Sequence, residues 1–226
     1  MFFKYPHTPH ISWLGTIPCR EDKVFSPEEA REFLDGEITV EEKVDGSNIG
    51  FSLDDSGNLQ VQNRGNYLTR GSHAQFQPLW PWIDARRFEM MEALRPGLML
   101  FGEWCFIRHS VPYRQLPDWF LGFDVYDREE SRFWSVERRD RWMNELGLAQ
   151  VPRLARGRFS LEQLRSLIGM SQLSSGFMEG IYLRHDRGDW LEQRAKLVRA
   201  EFVESIDNHW SEEALEKNSL AIPSVR

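Results

Sequence analysis

Residues 38–53 read ITVEEKVDGSNIGFSL, and the fold follows from where that stretch turns. Thr39 and Val40, beside Ile38, make Ile38–Lys43 a strand; Asp45-Gly46 permits a tight reversal, and 48–53 alternates as a second strand. Asp54-Asp55-Ser56-Gly57 then turns the chain into a third strand at 59–63. A lysine-bearing strand therefore runs straight into a hairpin.

Upstream, residues 1–25 are an irregular arm rich in Pro and His. A short helix follows it: Ser26 caps, Pro27 suits the first helical position, Glu29 completes a capping box, and Asp35-Gly36 ends the run. Downstream, 75–94 is helical, with Pro78 and Pro81 breaking or kinking its first half. Pro96-Gly97 turns into Leu98–Trp104, a strand too apolar to be half exposed, and 119–126 is another of that kind. A helix at 136–146 stops at Gly147, and a further one opens with Ser160 and Gln163 as a capping box. A closing hairpin is predicted from 177–184, a turn at 186–189 and Trp190–Val198, before a short acidic helix. Strands and helices do not alternate as βαβ units. The fold class is α+β, built mainly on antiparallel sheets with flanking helices. No repeat or linker divides the chain, so 1–226 reads as one domain, with 201–226 a short helical tail.

The 226 residues (26.7 kDa) suffice for a sizeable core, and 41% hydrophobic with 28% charged residues excludes fibrous and disordered classes. A net charge of −7 means that any polyanion must be held by a local basic patch. Cys19 and Cys105 form no CxxC pair, which speaks against a disulfide framework or structural zinc and for a reducing compartment. No apolar run approaches the roughly 18–20 residues of a membrane span, and MFFKYPHTPH lacks a signal-peptide core. A soluble cytoplasmic protein without a membrane partner is expected.

For chemistry, Glu42-Lys43-Val44-Asp45-Gly46 stands out, although taken alone it reads first as a surface turn with a solvated lysine. Walker, GxGxxG, HExxH and GxSxG patterns are absent, and the six histidines are scattered. What remains is charge within apolar, β-rich surroundings: Glu103 in LFGEW, Glu179 in FMEGI, and Lys196 in AKLV. Arg194, two residues before Lys196, faces the same side of its strand and would make a paired cationic ledge. Charges so placed need partners, so structural ion pairs (Glu103 or Glu179 against Lys196) and a reaction centre are both open.

Taken in order, these segments resemble the nucleotidyltransferase motifs of the covalent ATP-dependent RNA and DNA ligase superfamily, with the RNA ligases that join nicks and breaks in RNA duplexes the nearest pattern. EKVDGSN (42–48) resembles the first motif, whose lysine becomes adenylylated, and Asn48 matches the asparagine typical of RNA ligases there. NRG (63–65) resembles the next, with Arg64 on phosphate; FGEW (101–104) resembles the third, with Glu103 directed to ribose or metal. FLGFDV (120–125) resembles the strand that stacks an aromatic on adenine, Phe123 by spacing with Phe120 as the alternative. MEG (178–180) resembles the fourth, where Glu179 binds metal, and QRAK (193–196) the fifth, with Arg194 at a position that is often Lys.

The resemblance, over residues 38–200, implies Lys43, Asp45 and Lys196 as catalytic. It implies Glu42, Lys43, Asn48, Arg64, Glu103, Phe123, Arg194 and Lys196 as nucleotide-binding, and Glu103 and Glu179 as ligands of Mg²⁺ or Mn²⁺. ATP would be the AMP donor. RNA with 5′-phosphate and 3′-hydroxyl ends would be the substrate, sealed through lysyl-AMP and a 5′-adenylylated strand. An end-healing kinase or phosphatase would be a partner, and Arg64, Arg70, Arg108 and Arg114 candidate RNA contacts. Lysine is only about 0.1% neutral at pH 7.4, so Arg64, Arg194, Lys196 and the metal are expected to lower the Lys43 pKa. Only 27 residues follow Arg199, so no OB-fold domain is expected. A DNA ligase, a capping-type nucleotidyltransferase and a non-catalytic nucleotide- or RNA-binding module are the alternatives.

Overall fold

In the computed structural model, which describes residues 2–16, 23–95, 97–205 and 216–222, β1 (Ile38–Lys43) and β2 (Ser47–Leu53) are consecutive in the chain yet lie in different sheets. The corner between them closes on Gly46, where a Cβ would stand 2.7 Å from the Trp104 carbonyl oxygen. One sheet has the order β7 (Arg153–Gly157), β1, β8 (Gly180–Arg187), β9 (Trp190–Val198). The other runs β3 (Leu59–Gln62), β2, β4 (Leu98–Trp104), β5 (Phe120–Asp127), β6 (Arg132–Phe133). All pairings between these strands are antiparallel.

Helices cover one face of each sheet. Ile38, Val40, Ile181, Leu183, Ala195 and Leu197 pack with Phe33 of α1 (Pro27–Leu34) and Leu164 of α5 (Leu161–Leu167). Ile49, Phe51, Leu100, Phe120 and Val125 pack with Trp82 and Ile83 of α2 (Leu79–Asp84), Met90 of α3 (Arg87–Ala93) and Met143 of α4 (Val136–Glu145). Because strand side chains alternate, the residues between these apolar ones face the other way. Asn48, Glu103, Lys43, Tyr182, Arg184 and Lys196 all line one cavity.

Local signals account for most element ends. Both capping boxes are present, Ser26 with Glu29 and Ser160 with Gln163. The predicted 75–94 helix is split as its prolines require: a 3₁₀ turn at Ala74–Phe76, then α2 with Pro81 in its first turn, then α3. Gly57, Gly147 and Gly188 end or turn elements with φ of +79°, +63° and +59°. The Pro96-Gly97 turn is seen only at Gly97, since Pro96, like Cys19, lies outside the described residues.

One boundary needs correction, and two strands, β6 and β7, were not anticipated. The closing hairpin begins at Gly180 rather than 177, with Phe177 instead bridged to Met170. The arm is irregular but docked, pairing His10 in parallel with Lys196 and with Val24. Of the expected tail, α6 (Ala200–Ser205) is helical and 216–222 runs extended along the 105–116 loop; 206–215 and 223–226 lie outside the described residues. Among the described residues no helix is long and apolar enough to cross a membrane.

Candidate active site

Lys43 ends β1 opposite Gly180 of β8, and that register sets its Nζ 2.6 Å from Oε1 of Glu179, the residue before β8. The two side chains are 25% and 6% exposed. From the other sheet Asn48 of β2 stands opposite Glu103 of β4, and both face the same cavity. Arg64 reaches it from an exposed turn after β3, which Asn63 fixes by accepting from the Gly65 and Asn66 amides. Lys196, Phe123 and Glu42 complete the expected set along the walls. Of the two aromatic candidates, Phe123 faces the cavity, whereas Phe120 is wholly buried against Phe51 and Trp82.

Two residues of the expected set have other engagements. Asp45 does not line the cavity: its Oδ2 accepts from the Ser110 and Val111 amides at 2.7 and 2.9 Å, and its own amide donates to the Tyr113 hydroxyl at 2.8 Å. It pins the corner that carries Lys43. Arg194 shares a strand face with Lys196, but the expected ledge does not form at the cavity. Its guanidinium donates to the Tyr5 hydroxyl at 2.8 Å and to Asp124 at 3.0 Å, and the residue lines a separate cleft beside α1. Glu42 is anchored as well, accepting from Ser171 Oγ at 2.5 Å and the Gln172 amide at 2.9 Å.

The electrostatics reverse one expectation. Burial disfavours the Lys43 ammonium, but the Glu179, Glu103 and Asp45 carboxylates outweigh that and hold Lys43 above the ordinary lysine range rather than below it. Burial pushes the Glu103 carboxyl up to about 8 against the pull of Lys43, with Glu179 and Asp45 adding to the rise. Burial likewise pushes Glu179 up to about 7, again against Lys43. Burial thus opposes ionisation of both carboxyls more strongly than the neighbouring cations favour it. Glu179 Oε2 and Asn48 Oδ1 are buried without a hydrogen-bond partner. That is a fit for a divalent cation on Glu103 and Glu179. Among the described residues no group of three or more His, Cys, Asp and Glu could hold one alone, so oxygens from a phosphate or water must complete the shell.

A buried network behind the cavity was not read from the sequence. Glu41 of β1 pairs with Arg139 of α4 and Arg184 of β8, and Arg184 also donates to Asp124 of β5 at 2.6 Å. Arg139 and Arg184 both donate to the Phe123 carbonyl, at 2.6 and 2.8 Å. Despite burial, the two arginines bring the Glu41 carboxyl down to about 2. Its members come from distant parts of the chain, and only the excess of charge in apolar strands hinted at it. Of the candidate RNA contacts outside the cavity, Arg70 is paired with Asp84 and Arg108 with Glu216, while Arg114 is exposed.

The sequence profile of the RNA ligase family matches residues 36–198. The chain belongs to the RNA ligase family. That match spans both sheets and every candidate residue from Glu42 to Lys196. Among solved structures, Naegleria gruberi RNA ligase with PPi superposes at a TM-score of 0.63 and 20% identity, over 92% of this chain and 65% of that one. A mutant of the Naegleria gruberi ligase with ATP and Mn gives a TM-score of 0.61 and 23% identity, over 77% of this chain and 53% of that one. At such identities the likeness shows the fold, and it confirms the α+β class with two antiparallel sheets. The chain spans between about half and two thirds of these RNA ligases' lengths. No curated protein matches it.

Proposed function

We propose that this chain acts as one nucleotidyltransferase unit, an ATP-dependent RNA ligase in which Lys43 carries AMP between ATP and an RNA 5′ end. The observation that carries the reading is a lysine 2.6 Å from a buried glutamate in a cavity that also holds Asn48, Arg64, Glu103, Phe123 and Lys196. The ATP and Mn named for the Naegleria gruberi ligase support it.

In the first step Lys43 Nζ releases one proton to solvent to become the amine, bonds to the α-phosphorus of ATP as the bond from that phosphorus to pyrophosphate breaks, and releases a second proton to solvent as the phosphoramidate forms. Burial favours the neutral amine of Lys43, and its neighbouring carboxyl groups, when ionised, favour the ammonium. Glu103 and Glu179 would hold a Mg²⁺ or Mn²⁺ ion, whose positive charge would offset theirs and stabilise the phosphate charge. Lys196 and Arg64 face the phosphates, and Phe123 offers its ring to the base. In the second step an oxygen of the RNA 5′-phosphate attacks the α-phosphorus, the N–P bond breaks, and Nζ takes two protons from solvent to return to the ammonium. In the third, a 3′-hydroxyl attacks the 5′-phosphorus, loses its proton, and AMP leaves. Asp45 acts throughout by holding the corner.

Incubation with α-labelled ATP and Mg²⁺ or Mn²⁺, followed by denaturation, tests the first step. Wild type is expected to retain label on the polypeptide and Lys43→Ala to retain none. Label surviving in Lys43→Ala moves the nucleophile elsewhere. No label from folded wild type with either metal favours a non-catalytic binding module. RNA and DNA strands with 5′-phosphate and 3′-hydroxyl ends, supplied to the labelled protein, then decide the polymer.

A further inference from the structure

The N-terminal arm crosses from one sheet to the other over the cavity. At one end the Lys196 amide of β9 donates to the Pro9 carbonyl and the Ile11 amide to the Lys196 carbonyl, both at 2.9 Å. At the other, Phe3 stacks on Tyr126 of β5 with ring centroids 4.1 Å apart, and its carbonyl accepts from Gln62 of β3 at 2.7 Å. Between these ties Tyr5, 4% exposed, donates its hydroxyl to Asp124 and accepts from Arg194. Its ring meets Phe123 edge to face, centroids 5.4 Å apart and planes at 70°. Tyr5, His7 and Thr8 line the same cavity as Lys43.

Phe123 is therefore fixed at two points. Its carbonyl is held by Arg139 and Arg184, and its ring meets the edge of Tyr5. Asp124, the next residue, is clamped by Tyr5, Arg184 and Arg194 together. A ring that must present one face to a ligand binds best when its orientation is set beforehand, because ordering a free side chain weakens binding by up to about tenfold.

We propose that the arm is a wall of the nucleotide site and that Tyr5 is a positioning residue, setting the Phe123 ring for stacking on the base. The proposal rests on the reading of the cavity as an ATP site. It assigns a role to a segment outside the family match, which begins at residue 36. Tyr5 acts on the base alone, so the phosphates feel no change when it is altered.

The test measures ATP and inorganic tripolyphosphate binding with Mg²⁺ by calorimetry, in a Lys43→Ala background that prevents turnover. Tyr5→Ala is expected to weaken ATP by about tenfold and to leave tripolyphosphate unchanged. Tyr5→Phe, which keeps the ring edge but loses the hydroxyl tie, is expected to fall between and decides the matter if the alanine variant does not fold. In a Phe123→Ala background, Tyr5→Ala should cost little further. Equal losses for both ligands would make Tyr5 a structural residue and overturn the proposal. A loss with Phe123→Ala but none with either Tyr5 variant would overturn it while leaving the ATP site standing. A parent protein that binds tripolyphosphate no worse than ATP would remove base stacking from the site, and the proposal with it.

Discussion

Lys43 shares its cavity with two carboxyls whose ionisation burial resists, and the residue-scale predictions follow from that burial. Glu103 has an ordinary pKa near 4.5 and is raised to about 8 in the fold. Its ionisation therefore costs stability progressively as pH rises from about 4.5 through 8, because the unfolded chain releases that proton first. Glu103→Gln is expected to match wild type near pH 4 and to be more stable by on the order of 1 kcal/mol above pH 8. Denaturant midpoints across that range check it, with no gain at high pH as the contrary result. The same substitution should weaken metal-dependent labelling, since it removes a ligand oxygen's charge. That Lys43, Glu103, Glu179 and Lys196 share one cavity was legible because each charge sits in or beside a largely buried strand, where a charge needs a partner. Arg194 was half legible: strand alternation gives the side a residue faces but not what its guanidinium meets. Tyr5 was not legible, since its partner Asp124 is 119 positions away.

At the level of elements, the turns and caps were the readable part. Ser160 and Gln163 announce α5 by a reciprocal pair of short-range hydrogen bonds. Ser160→Ala is expected to cost about 1 kcal/mol, seen as a lower melting temperature without loss of ATP labelling. β7 escaped because RLARG (153–157) has only Leu154 and Ala155 as apolar side chains; its place comes from pairing with β1, which no local pattern reports. Gly180 shows the opposite case, a residue whose necessity is tertiary. A Cβ there would stand 2.3 Å from the Leu197 carbonyl oxygen and 2.8 Å from the Val198 Cα, both main-chain atoms of β9 that cannot swing aside. Gly180→Ala is expected to destabilise by roughly 1–3 kcal/mol, visible in denaturant midpoints. It should also impair labelling, because Gly180 is the register partner of Lys43.

Across the whole molecule, the two sheets are joined by the Glu41, Arg139, Arg184 and Asp124 cluster, with each carboxylate answered by guanidinium. Removing one member leaves buried charge unmatched. Glu41→Gln is expected to cost about 3–5 kcal/mol at pH 7. The Glu41 carboxyl is depressed to about 2, so its contribution is present above about pH 4.5 and fades as pH falls through 2. The gap between variant and wild type should therefore close towards pH 2, and a gap that stays constant would separate the effect from charge. The arm adds a further consequence, in the order of events during synthesis. Tyr5 leaves the ribosome early, but Arg194, which holds its hydroxyl, is 189 positions later. The cavity wall consequently cannot assemble until β9 has emerged, and the nascent chain acquires that side of the cavity last, after both sheets have most of their strands.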